Sequence, residues 1–448
     1  MRKSVIPWHH QVGYGLCEFG IAGTEVLIRL AMLMFYTKYV GLGPELAGLA
    51  IALGIVWDAC TDPFMGRLSD TFVIRGQRRR PYLIPAACGL GICLSLLFTD
   101  PGLSSQGAKF CWLLGTYVLV NTFLTILSVP HTALATDMTT DSDQRTRLFG
   151  WRMLFGNFGL LLATALPAVW LQISPSSVLA PDSFAALVMA GLTLAFSVIT
   201  FWATKPYDIA SKNQATEQPK LRLTESFKVV RQNKGFIQLF SAFCVATFGL
   251  TINSSLALYY YEFYLALPET SIRVILAVFM LLLSASIPLW IWVSGRGQSL
   301  SPHNKAVQKI SAIKTSMLFL GSLTAVVYLL FPTGHIWPPL VFAIPGGILV
   351  GSVVLLEAAV ADLGESQPEQ AYGLLFGFWK MGGKMSRALS MVATGIFLKL
   401  VGYEGGSTMT DEAALATAWA FGPGVGLSLV LAALMLHRSF KARGLLWF

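Results

Sequence analysis

The chain has 448 residues, of which 54% are hydrophobic and only 12% charged, and it carries a net charge of +9. A water-soluble domain needs roughly 25% charged residues to face solvent, so a soluble globular protein is excluded. The positive balance does not point to nucleic acid either, because the basic residues fall in short connections between apolar runs, as membrane topology requires.

Apolar runs that can supply the roughly 20 residues of a bilayer crossing recur over the whole length. In chain order the predicted spans are 11–38, 46–71, 82–99, 108–137, 147–173 and 183–204, then 236–264, 271–295, 306–331, 337–362, 371–400 and 412–437. Arg2 and Lys3 precede a first run too long for the apolar core of a cleavable signal. The stretch 205–235 is polar, with Lys205, Pro206, Lys212, Asn213, Gln214, Glu217, Pro219 and Lys220, and reads as a linker with a surface helix over Leu221–Val230. The predicted fold is therefore an all-α integral membrane protein. Its twelve transmembrane helices form two six-helix bundles, 1–204 and 236–448, joined by a cytoplasmic linker at 205–235. This is the two-half plan of major facilitator transporters. The six cysteines, at 17, 60, 88, 93, 111 and 244, lack metal-ligand spacing and read as core thiols.

Alternate connections are basic. Arg75, Arg78, Arg79 and Arg80 follow span two, Arg145 and Arg147 follow span four, and Arg296, Lys305 and Lys309 follow span eight. The linker and the tail with Arg438, Lys441 and Arg443 are basic too, while the opposite loops hold little more than Lys38, Lys109, Arg273 and Lys399. Both termini are predicted to be cytoplasmic, in a bacterial inner membrane.

Ionisable residues at membrane depth cost about 2.5–3.5 kcal/mol each on insertion scales, so each needs a partner or a watery cavity. Span two contains Trp57-Asp58-Ala59-Cys60-Thr61-Asp62-Pro63. Asp58 and Asp62 share one helical face about 6 Å apart along the axis, and carboxylates that close repel unless a cation or proton lies between them. Oxygen ligands of this kind suit a hard cation such as Na⁺, and an Asp pair held by a neighbouring basic residue is the alternative. Span one aligns Glu18, Ala22, Glu25 and Arg29 in one stripe, which lines a cavity or forms a Glu25–Arg29 ion pair. Span eleven places Lys380, Lys384 and Arg387 on one face. They receive an anionic part of a substrate or pair with Glu357 of span ten, and Trp379 beside them stacks on a substrate ring or packs. His131, next to Pro130, reads as a proton relay or a structural histidine, and Arg152 and Asn157 of span five are further cavity candidates.

These residues carry a resemblance to the glycoside–pentoside–hexuronide cation symporters, the melibiose-permease branch of the major facilitators. Tyr14-Gly15, Phe35-Tyr36-Thr37 and Val40-Gly41-Leu42 belong to it, as does the Trp57-Asp58-x-x-x-Asp62-Pro63-x-Met65-Gly66 block. So do Val129-Pro130, Asp141 with Arg145-Thr146-Arg147-Leu148, and Val360-Ala361-Asp362, while Gly66-Arg67-Leu68-Ser69-Asp70 is a looser loop motif. The resemblance implies two pseudosymmetric bundles with alternating access. It also implies cation-binding roles for Asp58 and Asp62, a hydroxyl ligand at Thr125, and substrate contacts from Arg152 and Lys380. The sequence departs from the pattern where the family's span-one sugar-binding acid falls at Ala22, its span-four acid at Ser128 and the following aromatic at Thr132. Two acids rather than three remain for the cation, and an uncharged galactoside is disfavoured.

The leading expectation is thus a monomeric transporter, not an enzyme, with no cofactor beyond a coupling Na⁺ or H⁺. It carries a small organic solute bearing an anionic group, uronide-like, and membrane lipid is its remaining partner. Lysophospholipid symporters look like relatives too and keep an amphiphilic substrate as the alternative. A membrane enzyme or receptor is the third reading, but no metal-ligand cluster, phosphate-cradling loop or nucleophile–base pair stands in the sequence.

Overall fold

The computed structural model describes residues 6–71, 77, 79–139, 141–174, 177, 179–207, 234–295, 302–365 and 369–441. Most of the linker, with the surface helix expected at 221–230, lies outside the described residues, as do Arg75, Arg78, Arg296 and Arg443. The chain divides into two compact units, residues 1–216 with 404–408, and residues 217–403 with 409–448.

Among the described residues, the first unit contains α1 (Trp8–Lys38), α2 (Pro44–Thr71), α3 (Leu83–Leu97), α4 (Gln106–Met138), α5 (Ser142–Ile173) and α6 (Pro181–Ala203). The second contains α7 (Lys234–Tyr259), α8 (Glu269–Gly295), α9 (Pro302–Leu330) and α10, whose parts Trp337–Val350 and Val354–Glu365 meet at the 3₁₀ turn Gly351–Val353. It ends with α11 (Glu369–Leu400) and α12, built from Asp411–Trp419 and Val425–Lys441 around the π turn Ala420–Gly424. Eleven of these helices are long and apolar enough to cross a membrane, and α11, with three cations at mid-length, is not in that set.

The same neighbour pattern recurs in each unit. In the first, α1 packs on α5 and α6, α2 on α4, and α3 on α4 and α6. In the second, α7 packs on α11 and α12, α8 on α10, and α9 on α10 and α12. Adding six to each helix number in the first set yields the second, the mark of a parallel internal repeat.

Close helix approach depends on small residues, since lipid tails are as apolar as leucine and supply no hydrophobic drive between helices. A Cβ on Gly159 of α5 would run into the Phe19 carbonyl of α1, and one on Gly156 would lie 3.1 Å from Glu18 Cγ. In the second unit, Gly382 and Gly383 of α11 admit the Phe240 and Phe243 rings of α7. Two hydroxyls of α11 tie the same seam, Ser386 Oγ donating to the Cys244 carbonyl at 2.5 Å and Ser390 Oγ to that of Phe248 at 3.1 Å.

Trp379 belongs to this seam. It is 1% exposed, stacks on Phe243 with ring centroids 3.9 Å apart, and touches Phe236 and Phe240. A substrate-stacking role is therefore corrected to a core role. Trp379→Ala should cost about 3–5 kcal/mol through loss of buried area and the cavity left behind. Thermal unfolding of the purified variant measures this, and a melting temperature equal to wild type would refute the packing assignment.

At the opposite end of α7, the π turn Tyr260–Tyr264 brings Tyr260 into a stack with Phe421 of the π turn in α12, centroids 4.4 Å apart. Tyr260 also donates to the Tyr328 carbonyl at 2.6 Å.

Two of the loop arginines are structural as well as topological. Arg80, 1% exposed, donates to the Phe201 carbonyl of α6 through Nε at 2.9 Å and Nη2 at 2.6 Å. Arg79 bonds the Ala133 carbonyl and pairs with Asp137 of α4 at 3.2 Å. Both therefore pin the connection to the helices beside it.

Candidate functional site

On α2, Ile51, Ile55, Asp58, Asp62 and Met65 repeat at spacings of three and four, and all lie on the side turned into the unit: the three apolar residues are buried and the two aspartates half-buried. That side meets α4. Asn121 Nδ2 donates to the Gly54 carbonyl at 3.1 Å, and Trp57 Nε1 donates to Thr122 Oγ1 at 2.9 Å, which sets the register of the two helices.

This register puts Thr125 between the two aspartates. Its Oγ1 lies 3.0 Å from Asp58 Oδ1 and 3.1 Å from Asp62 Oδ1. A hydroxyl has one hydrogen and donates to one carboxylate at a time. The second approach is lone pair to lone pair, an arrangement that attracts a proton or a cation. Ser128, one turn along α4 from Thr125, is half-buried, and its carbonyl accepts from Thr132 Oγ1 at 2.7 Å.

A second polar group forms where α1, α4 and α5 meet. Glycine at 156 and 159 lets α5 close on α1, so Arg152 reaches across to Glu18. Arg152 Nε donates to Oε2 at 2.5 Å and Nη2 to Oε1 at 3.1 Å, a bidentate pair with side chains only 19% and 16% exposed. His131 adjoins it, fully buried, with Nδ1 3.5 Å from Glu18 Oε2 and Nε2 2.9 Å from the Tyr14 carbonyl. The imidazole lies stacked on the Tyr14 ring, centroids 4.7 Å apart.

Glu18 was placed on a cavity stripe by spacing, but its role as the partner of Arg152 was missed. Gly156 and Gly159, which follow Arg152, were the available signal, because they mark a close helix crossing. Asn157 does not join this group. Five residues beyond Arg152, it is rotated by about 140° on the helix, between the exposed Met153, Leu154 and Phe158.

Further along the α1 stripe Ala22 is half-buried. Between Gln11 and Thr37, Glu25 and Arg29 are the two exposed residues of an otherwise enclosed helix.

On α11, three faces are distinguishable. Trp379, Gly382, Gly383, Ser386 and Ser390 meet α7, while Met381, Met385, Leu389 and Ile396 are exposed and apolar, as a lipid-facing side must be. Lys380, Lys384 and Arg387 form the third face, turned about 130° from the apolar one. Lys380 is exposed and the other two are half-buried. Glu357 of α10 is exposed, and among the described residues it forms no ion pair with these cations, so the pairing considered for it is not made.

A family model described as MFS/sugar transport protein matches residues 13–442. An isoprimeverose transporter of Lactiplantibacillus pentosus is 22% identical over an alignment covering 98% of this chain and 91% of the relative. A glucuronide carrier protein homolog of Escherichia coli (strain K12) is 25% identical, with 91% and 87% covered. A crystal structure of a nucleoside transporter superposes with a TM-score of 0.67 at 12% identity, covering 95% of this chain and 98% of that one, and so shares the fold. Two six-helix repeats and a family match over nearly the whole length agree: the chain belongs to the MFS/sugar transport family, in its glycoside–pentoside–hexuronide:cation symporter branch, and is an integral membrane secondary transporter rather than an enzyme.

Proposed function

We propose that this symporter couples movement of Na⁺ or H⁺, held by Asp58 and Asp62 with Thr125 and Ser128, to that of an organic solute bearing an anionic group. The observation that carries this reading is the convergence of both carboxylates on one hydroxyl. At the roughly 5–6 Å spacing of an i, i+4 pair and an effective dielectric of about 20, two full negative charges repel by about 3 kcal/mol. A bound cation or proton lowers that repulsion, and this supports reading the pair as an ion site.

Lys380, Lys384 and Arg387 are the proposed partners of the solute's anionic group, because they share a face of α11 that is not the lipid-facing one. Glu25 and Arg29, exposed on an otherwise enclosed helix, are the proposed lining of a watery path, since a lipid-facing side would be apolar. The glucuronide carrier among the relatives supports a uronide, and the isoprimeverose transporter supports a glycoside scaffold. In this reading the chain works as a monomer with both termini cytoplasmic.

The test is thermal stability of purified protein across a Na⁺ titration at several pH values, for wild type and Asp58→Asn. A ligand that binds only the folded state stabilises it by about 2.7 kcal/mol at a hundred times its dissociation constant. A saturable Na⁺ shift that disappears in the variant is the expected result for sodium coupling. Insensitivity to Na⁺ with a pH response that the variant loses assigns the proton instead. A variant that behaves as wild type under every condition removes the ion site. In vesicles, Asp58→Asn should abolish gradient-driven accumulation while leaving the protein folded.

A further inference from the structure

The two sides of the Asp58–Asp62–Thr125 group are held very differently. Residue numbers rise together along α2 and α4: Gly54 meets Asn121, and Asp58 and Asp62 meet Thr125. Gly54 and Asn121 therefore lie one turn, about 6 Å, before the group on their helices. There the helices approach closely. A Cβ on Gly54 would run into the Tyr117 ring, and Asn121, 5% exposed, donates to the Gly54 carbonyl at 3.1 Å. Past the group the contact loosens. A Cβ on Gly66 would find its nearest neighbour outside its own helix at 4.0 Å, a Val129 methyl. Pro63 of α2 and Pro130 of α4 also lie on that side, and each removes a helical hydrogen bond.

We propose that Asn121 is a positioning residue of the cation site, holding the register that keeps Thr125 Oγ1 between Asp58 and Asp62. The inference rests on the ion-site reading and sharpens it. A proton needs one carboxylate, whereas a metal cation such as Na⁺ needs several oxygens converging on one point, so only the metal depends on a precise register. A slide of one residue's rise, about 1.5 Å, draws Thr125 away from one of the two acids. Asn121 resists that slide with a buried, directed bond across the crossing. The contact of α4 with α3 at Gly89 is made by the Phe123 ring, which carries no polar anchor. Trp57 bonds Thr122 from an exposed position.

The acceptor makes this role separable from folding. By the helical repeat, the Gly54 carbonyl already receives the Asp58 amide. Removing the Asn121 donor thus strands no buried acceptor there, and a leucine has the same branched shape. The protein without its cation should barely notice the change, but the cation should.

The experiment is thermal unfolding of purified full-length protein across a NaCl titration, with choline chloride holding the ionic strength constant. In Asn121→Leu, a given rise in melting temperature should require about tenfold more Na⁺ than in wild type or beyond, the usual cost of losing a residue that orients a metal ligand. Its melting temperature in choline alone should stay near that of wild type. Thr116→Val is the control, since Thr116 is buried on the same helix but bonds only within it, to the Trp112 and Leu113 carbonyls. That variant should need the wild-type concentration of Na⁺. Asn121→Ala repeats the test in case leucine is too large. A melting temperature lowered equally at every Na⁺ concentration overturns the proposal, because the role is then structural only, and so does failure of both Asn121 variants to fold. If wild type responds to Na⁺, Asp58→Asn does not, and Asn121→Leu matches wild type, this proposal fails while the ion site stands. A wild type indifferent to Na⁺ overturns the proposal together with the sodium form of that reading.

Discussion

Arg152→Met should lower stability by about 3–5 kcal/mol, because it leaves the Glu18 carboxylate enclosed without its guanidinium. Both side chains are more than four-fifths covered, so solvent screening does little to soften the loss. The companion variants make the interpretation sharp. Glu18→Gln alone should be costly for the mirror reason, and the double variant should recover most of the loss, since a neutral Gln–Met pair strands no charge. Thermal unfolding of the four proteins closes a double-mutant cycle, whose interaction energy isolates the pair. Strict additivity would mean that the two residues are neighbours without being partners.

The second large effect is expected at Gly159. Replacing it by alanine places a Cβ against the Phe19 carbonyl, and a backbone atom cannot step aside by changing rotamer. Overpacking of this kind costs about 1–3 kcal/mol and occasionally more. Separating α1 from α5 would also stretch the Arg152–Glu18 pair, so a cost at or above the upper end is expected. Gly115→Ala on α4 is the control: nothing lies within 4 Å of its Cβ position, and removing a helical glycine there should be neutral or stabilising by up to about 1 kcal/mol. Melting temperatures of the two variants give the answer, and equal behaviour would contradict the close crossing.

The helices were legible because each crossing must satisfy its own backbone with a long apolar run, a signal strong enough to read one span at a time. Asp58 and Asp62 were legible for the same reason, since charges stand out against lipid and their spacing puts them on one face. Thr125 came only from the family resemblance, because hydroxyls are common in membrane helices and nothing local singles one out. The Glu18–Arg152 pair was illegible as a pair: its members are 134 residues apart, and helical spacing says nothing about which distant helix arrives. Trp379 misled because its neighbour Lys380 suggested a site, whereas the following Gly382-Gly383 marked a packing seam. The π turns at Tyr260–Tyr264 and Ala420–Gly424 change the hydrogen-bond register without changing composition, so hydropathy passes over them. Arg79 and Arg80 were read only for topology because nothing in their immediate sequence shows the carbonyls they reach.

The enclosure of α1 has a consequence for biosynthesis. This helix leaves the ribosome before the helices that surround it, α5 and α6, which begin only at Ser142 and Pro181. At about 5–20 residues per second, roughly 5–20 s separate the end of α1 from the start of α5. During that interval Glu18 has no Arg152 beside it. Nascent α1 is long and apolar enough to cross a membrane, but it does so before the partner of Glu18 has been made. Chains arrested before Ser142 should leave it accessible to water-borne thiol reagents at an engineered cysteine, and chains arrested after α6 should not.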